Sequence, residues 1–359
     1  MRKKGFIFYS TSSWFLKSAV IVLFGLLLLG CQETSKDSSG IPVLQQVRKA
    51  DRKKNVIFIL SDDHRYDFMG FTGKVPELQT PNMDRLASEG VHFPNAFVTT
   101  SLCSPSRASI LTGLYSHAHK VVDNQSVAPD DLILFPQYLQ QVGYKTGFFG
   151  KWHMGSEDDN PQPGFDHWES FKGQGVYYDP VLNINGTQTK YSDSTYISDL
   201  LTQHAVDWME RQADGEQPFF MYLSHKAVHA EFLAAKRHSG KYDSLQVTYP
   251  SSFKVSDQPV KGKNPAGKPW RGDAYYGEGR IPDWQKMQRE SWHGVDYMYH
   301  GDMTFNDFYR SYCETLLGVD ESIGAVLDFL DERGLASSTL VIYMGDNGFA
   351  FGEHGLIDK

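Results

Sequence analysis

Four short apolar runs punctuate the chain, and each ends on polar side chains able to do chemistry. Asn55-Val-Ile-Phe-Ile-Leu60 leads into Ser61-Asp62-Asp63-His64, and Lys145-Thr-Gly-Phe-Phe-Gly150 into Lys151-Trp152-His153. Pro218-Phe-Phe-Met-Tyr-Leu223 leads into Ser224-His225-Lys226-Ala227-Val228-His229, and Thr339-Leu-Val-Ile-Tyr-Met344 into Gly345-Asp346-Asn347-Gly348. Runs this unbroken predict strands covered on both faces. Helical spacing fills the intervals at Pro81 to Glu89, Leu132 to Gln141, Thr195 to Arg211 and Phe308 to Arg333. Thr80 is the expected N-cap of the first of these helices, with Pro81 at its first position and Gly90 as its stop. Such alternation predicts an α/β fold with a large, mostly parallel sheet flanked by helices. Ligands of such sheets bind beyond the carboxyl ends of the strands, which brings the four polar clusters to one edge. Residues 156 to 192 and 233 to 300 read as loops. Their aromatics (Trp168, Tyr177, Tyr178, Trp270, Tyr275, Tyr276, Trp284 and Trp292) suit either sugar stacking or small cores beneath the loops.

The chain has 359 residues, a net charge of −8 and no basic tract, which argues against nucleic acid as a partner. Residues 1 to 30 read as a leader: Arg2, Lys3 and Lys4, then an apolar run from Phe15 to Leu29. The ending Leu28-Leu29-Gly30-Cys31 looks like a bacterial lipobox, which makes Cys31 the lipid-bearing first residue of an exported, membrane-anchored lipoprotein in the periplasm or on the cell surface. Residues 31 to 50 are then the lipidated tether, and 51 to 359 a single catalytic domain. Of the three cysteines, Cys313 lies in an amphipathic helical stretch and is expected in the core, so no disulfide framework is predicted.

Cys103 opens Cys103-Ser-Pro105-Ser-Arg107-Ala-Ser-Ile-Leu111-Thr112-Gly113. Proline early in a helix is tolerated, and Gly113 reads as the stop. A cysteine at such a helix start feels the positive end of the helix dipole and a nearby Arg107, both of which stabilise a thiolate or a bound oxyanion. This segment resembles the signature of the type I sulfatases, Cys-x-Pro-x-Arg followed by Leu-Thr-Gly. In that family the cysteine is oxidised to formylglycine (3-oxoalanine) by a formylglycine-generating or anaerobic sulfatase-maturating enzyme.

The other clusters match the family's motifs in order. Asp62-Asp63 and Asp346-Asn347 offer three carboxylates and an amide oxygen, a hard set suited to Ca²⁺ or Mg²⁺ rather than zinc. The resemblance implies one divalent ion, usually calcium, held by these four with residue 103 and the substrate sulfate completing the sphere. Lys151 and His153 match Gly-Lys-Trp-His, which implies a cation for a sulfate oxygen and a proton-exchanging imidazole. His229 matches the proton donor to the departing alcohol, with His225 the competing candidate because Ala230 and Glu231 stand where relatives carry proline. Lys359 ends Gly352-Glu-His354-Gly-Leu-Ile-Asp358-Lys359 where relatives have a sulfate-binding lysine; His354 and Asp358 beside it would order the loop. The implied mechanism is attack on sulfur by hydrated formylglycine with Asp346 as base. Arg107, Lys151 and Lys359 stabilise charge, His229 protonates the alcohol, and sulfate is then expelled.

The address, the loop aromatics and a likeness to polysaccharide and glycosaminoglycan sulfatases, N-acetylglucosamine-6-sulfatase-like enzymes among them, make a sulfated glycan the expected substrate. Relatives continue past the Lys359 motif into a smaller C-terminal subdomain, so a truncated catalytic domain is expected here. Two other readings stand beside the sulfatase. A phosphatase or phosphodiesterase of the same alkaline-phosphatase-like superfamily would favour a Ser or Thr nucleophile and two metals. An inactive glycan-binding lipoprotein would keep Cys103 as a thiol.

Overall fold

The computed structural model describes residues 54–253, 259–263, 269–271, 291, 293–295 and 304–359. The leader, Cys31, the tether, and Tyr275, Tyr276, Trp284 and Trp292 lie outside the described residues.

All four predicted strands form: β1 Asn55–Ser61, β2 Lys145–Lys151, β6 Phe219–Ser224 and β9 Thr339–Gly345. With β3 His167–Phe171, β4 Val181–Ile184 and β5 Thr187–Lys190 they make a seven-stranded sheet in the order β5-β4-β3-β2-β6-β1-β9. The pairs from β3 to β9 are parallel, and β4 and β5 add an antiparallel margin. The period of two sorts the strand side chains. Ile57, Ile59, Phe149, Met221 and Leu223 face one core, and Phe58, Leu60, Phe148, Phe220 and Tyr222 face another. Helices α1 Pro81–Glu89, α5 Ile197–Ala213 and α6 Phe305–Glu332 supply the first core, Cys313 included. Helices α2 Cys103–Thr112 and α4 Phe135–Gln141, with the single turn α3 Ser116–His119 between them, lie toward the second. Both sheet faces are covered, which is why the central strands carry no alternating polar residues.

Several boundaries differ from expectation for local reasons. Residues 156 to 192 are not all loop, because β3, β4 and β5 lie there. The signal is Asn185-Gly186, where both residues have positive φ (50° and 91°), as a tight hairpin turn requires. The polar sequence of β5 (Thr-Gln-Thr-Lys) hides the second strand of that hairpin. Residues 233 to 300 likewise contain a short antiparallel pair, β7 Pro259–Lys263 with β8 Pro269–Arg271, and Trp270 falls on β8. Helix α4 starts at Phe135 rather than Leu132, where the Gln137 side chain accepts from Leu134 N–H. Helix α6 starts earlier than expected because the Thr304 hydroxyl accepts from Asp307 N–H. Thr80 precedes α1 but does not cap it. Its hydroxyl takes Gly70 N–H at 2.8 Å, and Asp320 of α6 accepts from Asn82 and Met83 N–H at 3.1 and 2.9 Å instead. Trp168 is buried on β3, stacked on Phe148, so it belongs to the core and not to a sugar platform.

Glu169, buried on β3, accepts from His167 at 2.8 Å and from His204 on α5 at 2.6 Å. The Glu169 hydrogen bond raises the His204 pKa above 6.5 against partial burial. Burial alone would raise Glu169, but the two imidazoles bring it below 4.5. His204 therefore contributes stability fully below pH 6.5, lost as pH rises through its raised pKa. Glu169 contributes above pH 4.5, lost as pH falls through its lowered one. His204→Leu is expected to destabilise by about 1 kcal/mol at pH 6 and by less at pH 9, read from urea midpoints. Equal losses at the two pH values would refute the pairing.

Candidate active site

Because β2, β6, β1 and β9 are adjacent and parallel, their carboxyl ends deliver Lys151, Ser224, Asp62 and Asp346 to one edge. Asp62 N–H donates to the Ala227 carbonyl at 2.9 Å, and Val228 N–H to the Asp62 carbonyl at 2.7 Å, tying the β1 and β6 extensions together. Asp63 turns out of the strand with φ 55°, and its N–H donates to Asp346 Oδ1 at 3.0 Å. Gly150 must be glycine. Its φ is 113°, and a Cβ there would sit 1.9 Å from the Ser224 carbonyl oxygen. The antiparallel pair β10 Ala350–Phe351 with β11 Ile357–Asp358 folds the chain back, so that Lys359 Nζ lies 2.6 Å from Asp63 Oδ2.

Asp62, Asp63 and Asp346 are all buried, each with an oxygen within 4.8 Å of the others. Burial alone would raise Asp62, but Lys151 and Arg107 hold it well below the usual carboxylate range. Burial pushes Asp63 up to about 8; Lys359 opposes, and Asp62 and Asp346 add to the rise. Burial and Asp62 push Asp346 up to about 6 against Arg107. The local cations therefore hold Asp62 charged, while burial keeps Asp63 and Asp346 raised despite their cation partners. Asn347 Nδ2 donates to Asp346 Oδ1 at 2.8 Å, while its Oδ1 is buried without a partner. Three clustered buried carboxylates, two of them raised by burial, beside an unsatisfied amide oxygen fit a hard divalent cation.

Cys103 is the first residue of α2, fully buried, with Sγ 3.3 Å from Asp62 Oδ1 and 4.0 Å from Asp63 Oδ1. Of the two anions that the helix start could stabilise, a thiolate on Cys103 is disfavoured. Burial, then Asp62, pushes the thiol well above its ordinary pKa, outweighing Lys151. Cys103 is thus a neutral thiol, within the same ligand cluster as Asp62 and His229. Four residues on, Arg107 reaches Asp346 Oδ2 through Nε at 2.9 Å, and through Nη1 the Lys151 carbonyl and Ser224 Oγ at 2.9 and 2.6 Å. Its Nη2 is 3.8 Å from Asp62 Oδ1.

Lys151 is buried and paired with Asp62, and its Nζ also donates to Gln174 Oε1 at 2.5 Å. His153 adopts φ 52°, and its carbonyl accepts from Ser104 Oγ. Burial and Lys151 lower its pKa to about 3, so the imidazole is neutral. His229 Nε2 is 3.8 Å from Asp63 Oδ2, and its Nδ1 meets the Ala230 carbonyl. Burial drives its pKa well below 6.5. His225 is buried with neither ring nitrogen hydrogen-bonded, and its charged neighbour is Asp199 rather than any site carboxylate. The geometry thus brings His229, not His225, to the carboxylates.

Sequence reasoning missed Gln174, gave Lys226 no role within its polar cluster, and left Tyr177 as one loop aromatic among several. Tyr177 is buried; its hydroxyl donates to the His229 carbonyl at 2.5 Å, and its ring lies 4.7 Å from Lys226 Nζ. Lys226 Nζ donates to the Gln174 carbonyl at 3.1 Å. Nothing in the spacing of these three residues marks them. The β3–β4 loop carries Gln174 and Tyr177 to the edge only once the sheet is built.

Comparisons with known proteins point to one family. The chain is 32% identical to an N-acetylglucosamine-6-O-sulfatase of Bacteroides thetaiotaomicron over 98% of its own length and 68% of that protein's. It is 28% identical to the N-acetylglucosamine-6-sulfatase of Capra hircus, over 87% of this chain and 54% of that one. A solved structure of a protein with its substrate D-glucosamine-2-N,6-O-disulfate superposes with a TM-score of 0.67 at 30% identity, covering 85% of this chain and 68% of the other. The profile described as Sulfatase matches residues 54–359, and the chain belongs to the sulfatase family.

Proposed function

We propose that this protein hydrolyses sulfate esters of a glycan, using a nucleophile made from Cys103. The observation that carries the reading is the buried cluster itself: a cysteine at a helix start against three carboxylates, ringed by Arg107, Lys151 and Lys359. The disulfated glucosamine bound by the structural neighbour and the names of the relatives favour a sulfated amino sugar.

Asp62, Asp63, Asp346 and Asn347 would hold a divalent cation, Ca²⁺ or Mg²⁺ by the hardness of the donors and calcium by likeness to the sulfatase family. That ion would place positive charge against the sulfate, and formylglycine formed from Cys103 would supply a hydrated aldehyde as attacking group. Arg107 is fixed by three acceptors and stabilises negative charge without reorganising. Lys151 and Lys359 act as point charges on sulfate oxygens. His153, neutral at rest, accepts a proton. His229 is neutral at rest too, and an anionic ligand opposite it favours the imidazolium that protonates the leaving oxygen. A formylglycine-generating or anaerobic maturating enzyme is the partner this requires. The leader and the lipid on Cys31 make the protein a membrane-anchored exported lipoprotein, with residues 51 to 359 catalytic.

The test pairs the mass of the peptide holding residue 103, after expression with a maturating enzyme, with sulfate release from a panel of sulfated glucosamines. An aldehyde together with sulfate release is the expected result. A persistent thiol, or an aldehyde with no release from any sulfated sugar, would count against hydrolysis.

A further inference from the structure

Among the described residues, three buried cations each pair with one carboxylate of the cluster, and a fourth, beside Lys151, does not. Arg107 pairs with Asp346, Lys151 with Asp62 and Lys359 with Asp63. Lys226 is the fourth. It is 4% exposed, and its contacts are the Gln174 carbonyl and the Tyr177 ring; among the described residues no carboxylate pairs with it. A buried ammonium without a counter-ion is costly, and an apolar side chain would fill the same space without that penalty.

The position of Lys226 is not accidental packing. It lies two residues beyond the end of β6, between the ends of β2 and β1 that carry Lys151 and Asp62. Gln174 holds both lysines, Lys151 through its side-chain oxygen at 2.5 Å and Lys226 through its carbonyl at 3.1 Å. Drawing two ammonium groups to one residue is unfavourable unless an anion later lies between them. Gly175, with φ 63°, makes the turn that presents Gln174; a Cβ there would meet the Phe171 ring at 2.4 Å. Tyr177, from the same loop, braces both Lys226 and the His229 carbonyl.

We propose that Lys226 is a further substrate-binding residue, which contacts the sulfate group alongside Lys151 while Gln174 sets the spacing of the two ammonium groups. This rests on the sulfatase reading above and adds a cation to its binding site. With a divalent ion on the carboxylates, the edge carries an excess of positive charge that an anionic ester partly offsets.

The test is calorimetric binding of inorganic sulfate to the full chain in calcium buffer, which needs no turnover. Lys226→Met is expected to weaken sulfate at least 10-fold, Lys226→Arg to keep affinity within 3-fold, and Gln174→Ala to weaken it by a smaller factor. The KM for a sulfated glucosamine should rise in the same order. Lys226→Met with wild-type sulfate affinity overturns the proposal, as does a wild-type chain that binds no sulfate. Should Lys226→Met not fold, Lys226→Gln is read in its place by the same criterion. A wild-type chain that binds sulfate, with Lys226 dependence, yet hydrolyses no ester would sink the proposed hydrolysis and leave the role of Lys226 standing.

Discussion

Cys103→Ala is expected to lower sulfate release by about 10³-fold or more while the protein stays folded. The side chain touches carboxylate oxygens rather than a hydrophobic neighbour set, with Sγ 3.3 Å from Asp62 and 4.0 Å from Asp63. Removing one sulfur from a polar pocket forfeits little packing, so the stability loss should be about 1 kcal/mol. The thiol itself is a poor nucleophile here, because burial and Asp62 hold it protonated. Unconverted protein is therefore expected to be as inactive as the variant. Sulfate release by the alanine variant within 10-fold of the wild type, at matched thermal stability, would remove Cys103 from the chemistry.

What the sequence reveals and what it hides divide along physical lines. Strands β1, β2 and β6 are legible because burial demands unbroken apolar runs, and β9 shares the pattern although it ends the sheet half-buried. Their polar successors are then legible as a site, because parallel strands share one carboxyl edge. Strand β5 is hidden because Thr187, Gln188, Thr189 and Lys190 are polar at the sheet margin, and only Asn185-Gly186 betrays the hairpin. The helix-dipole argument at Cys103 fails for lack of long-range information. Burial first, and then Asp62 from the end of β1, hold the thiol protonated, and neither is visible in the local sequence. Thr80 fails in the same way, since its helix is capped from across the core by Asp320, 238 positions away from Asn82. Gln174 and Lys226 share this character: 52 positions separate two residues whose meaning comes only from their contact.

Calcium is expected to raise the melting temperature of the unmodified protein, and Asp63→Asn to abolish most of that rise. Two of the three carboxylates, Asp63 and Asp346, are buried where their charged forms are disfavoured. Asp63 is pushed up to about 8 and Asp346 to about 6 by burial and mutual repulsion, despite the Lys359 ammonium 2.6 Å from Asp63. A carboxyl whose folded pKa exceeds its unfolded value binds more protons folded than unfolded. Stability of the metal-free protein must therefore fall as pH rises from about 4 through these values. A divalent ion substitutes for those protons, so the gain from calcium should be larger at pH 8 than at pH 5. At 100 times its dissociation constant an ion binding only the folded state contributes about 2.7 kcal/mol, a rise in melting temperature of about 5 °C for a domain this large. Asp63→Asn keeps the shape and removes a charge. Its metal-free form should be as stable as the wild type or more so at pH 8, because a neutral amide no longer needs a proton there. Scanning calorimetry of both proteins at pH 5 and pH 8, with calcium and with chelator, reads all four terms. A calcium shift that is the same in both proteins, or larger at pH 5, would place the ion elsewhere.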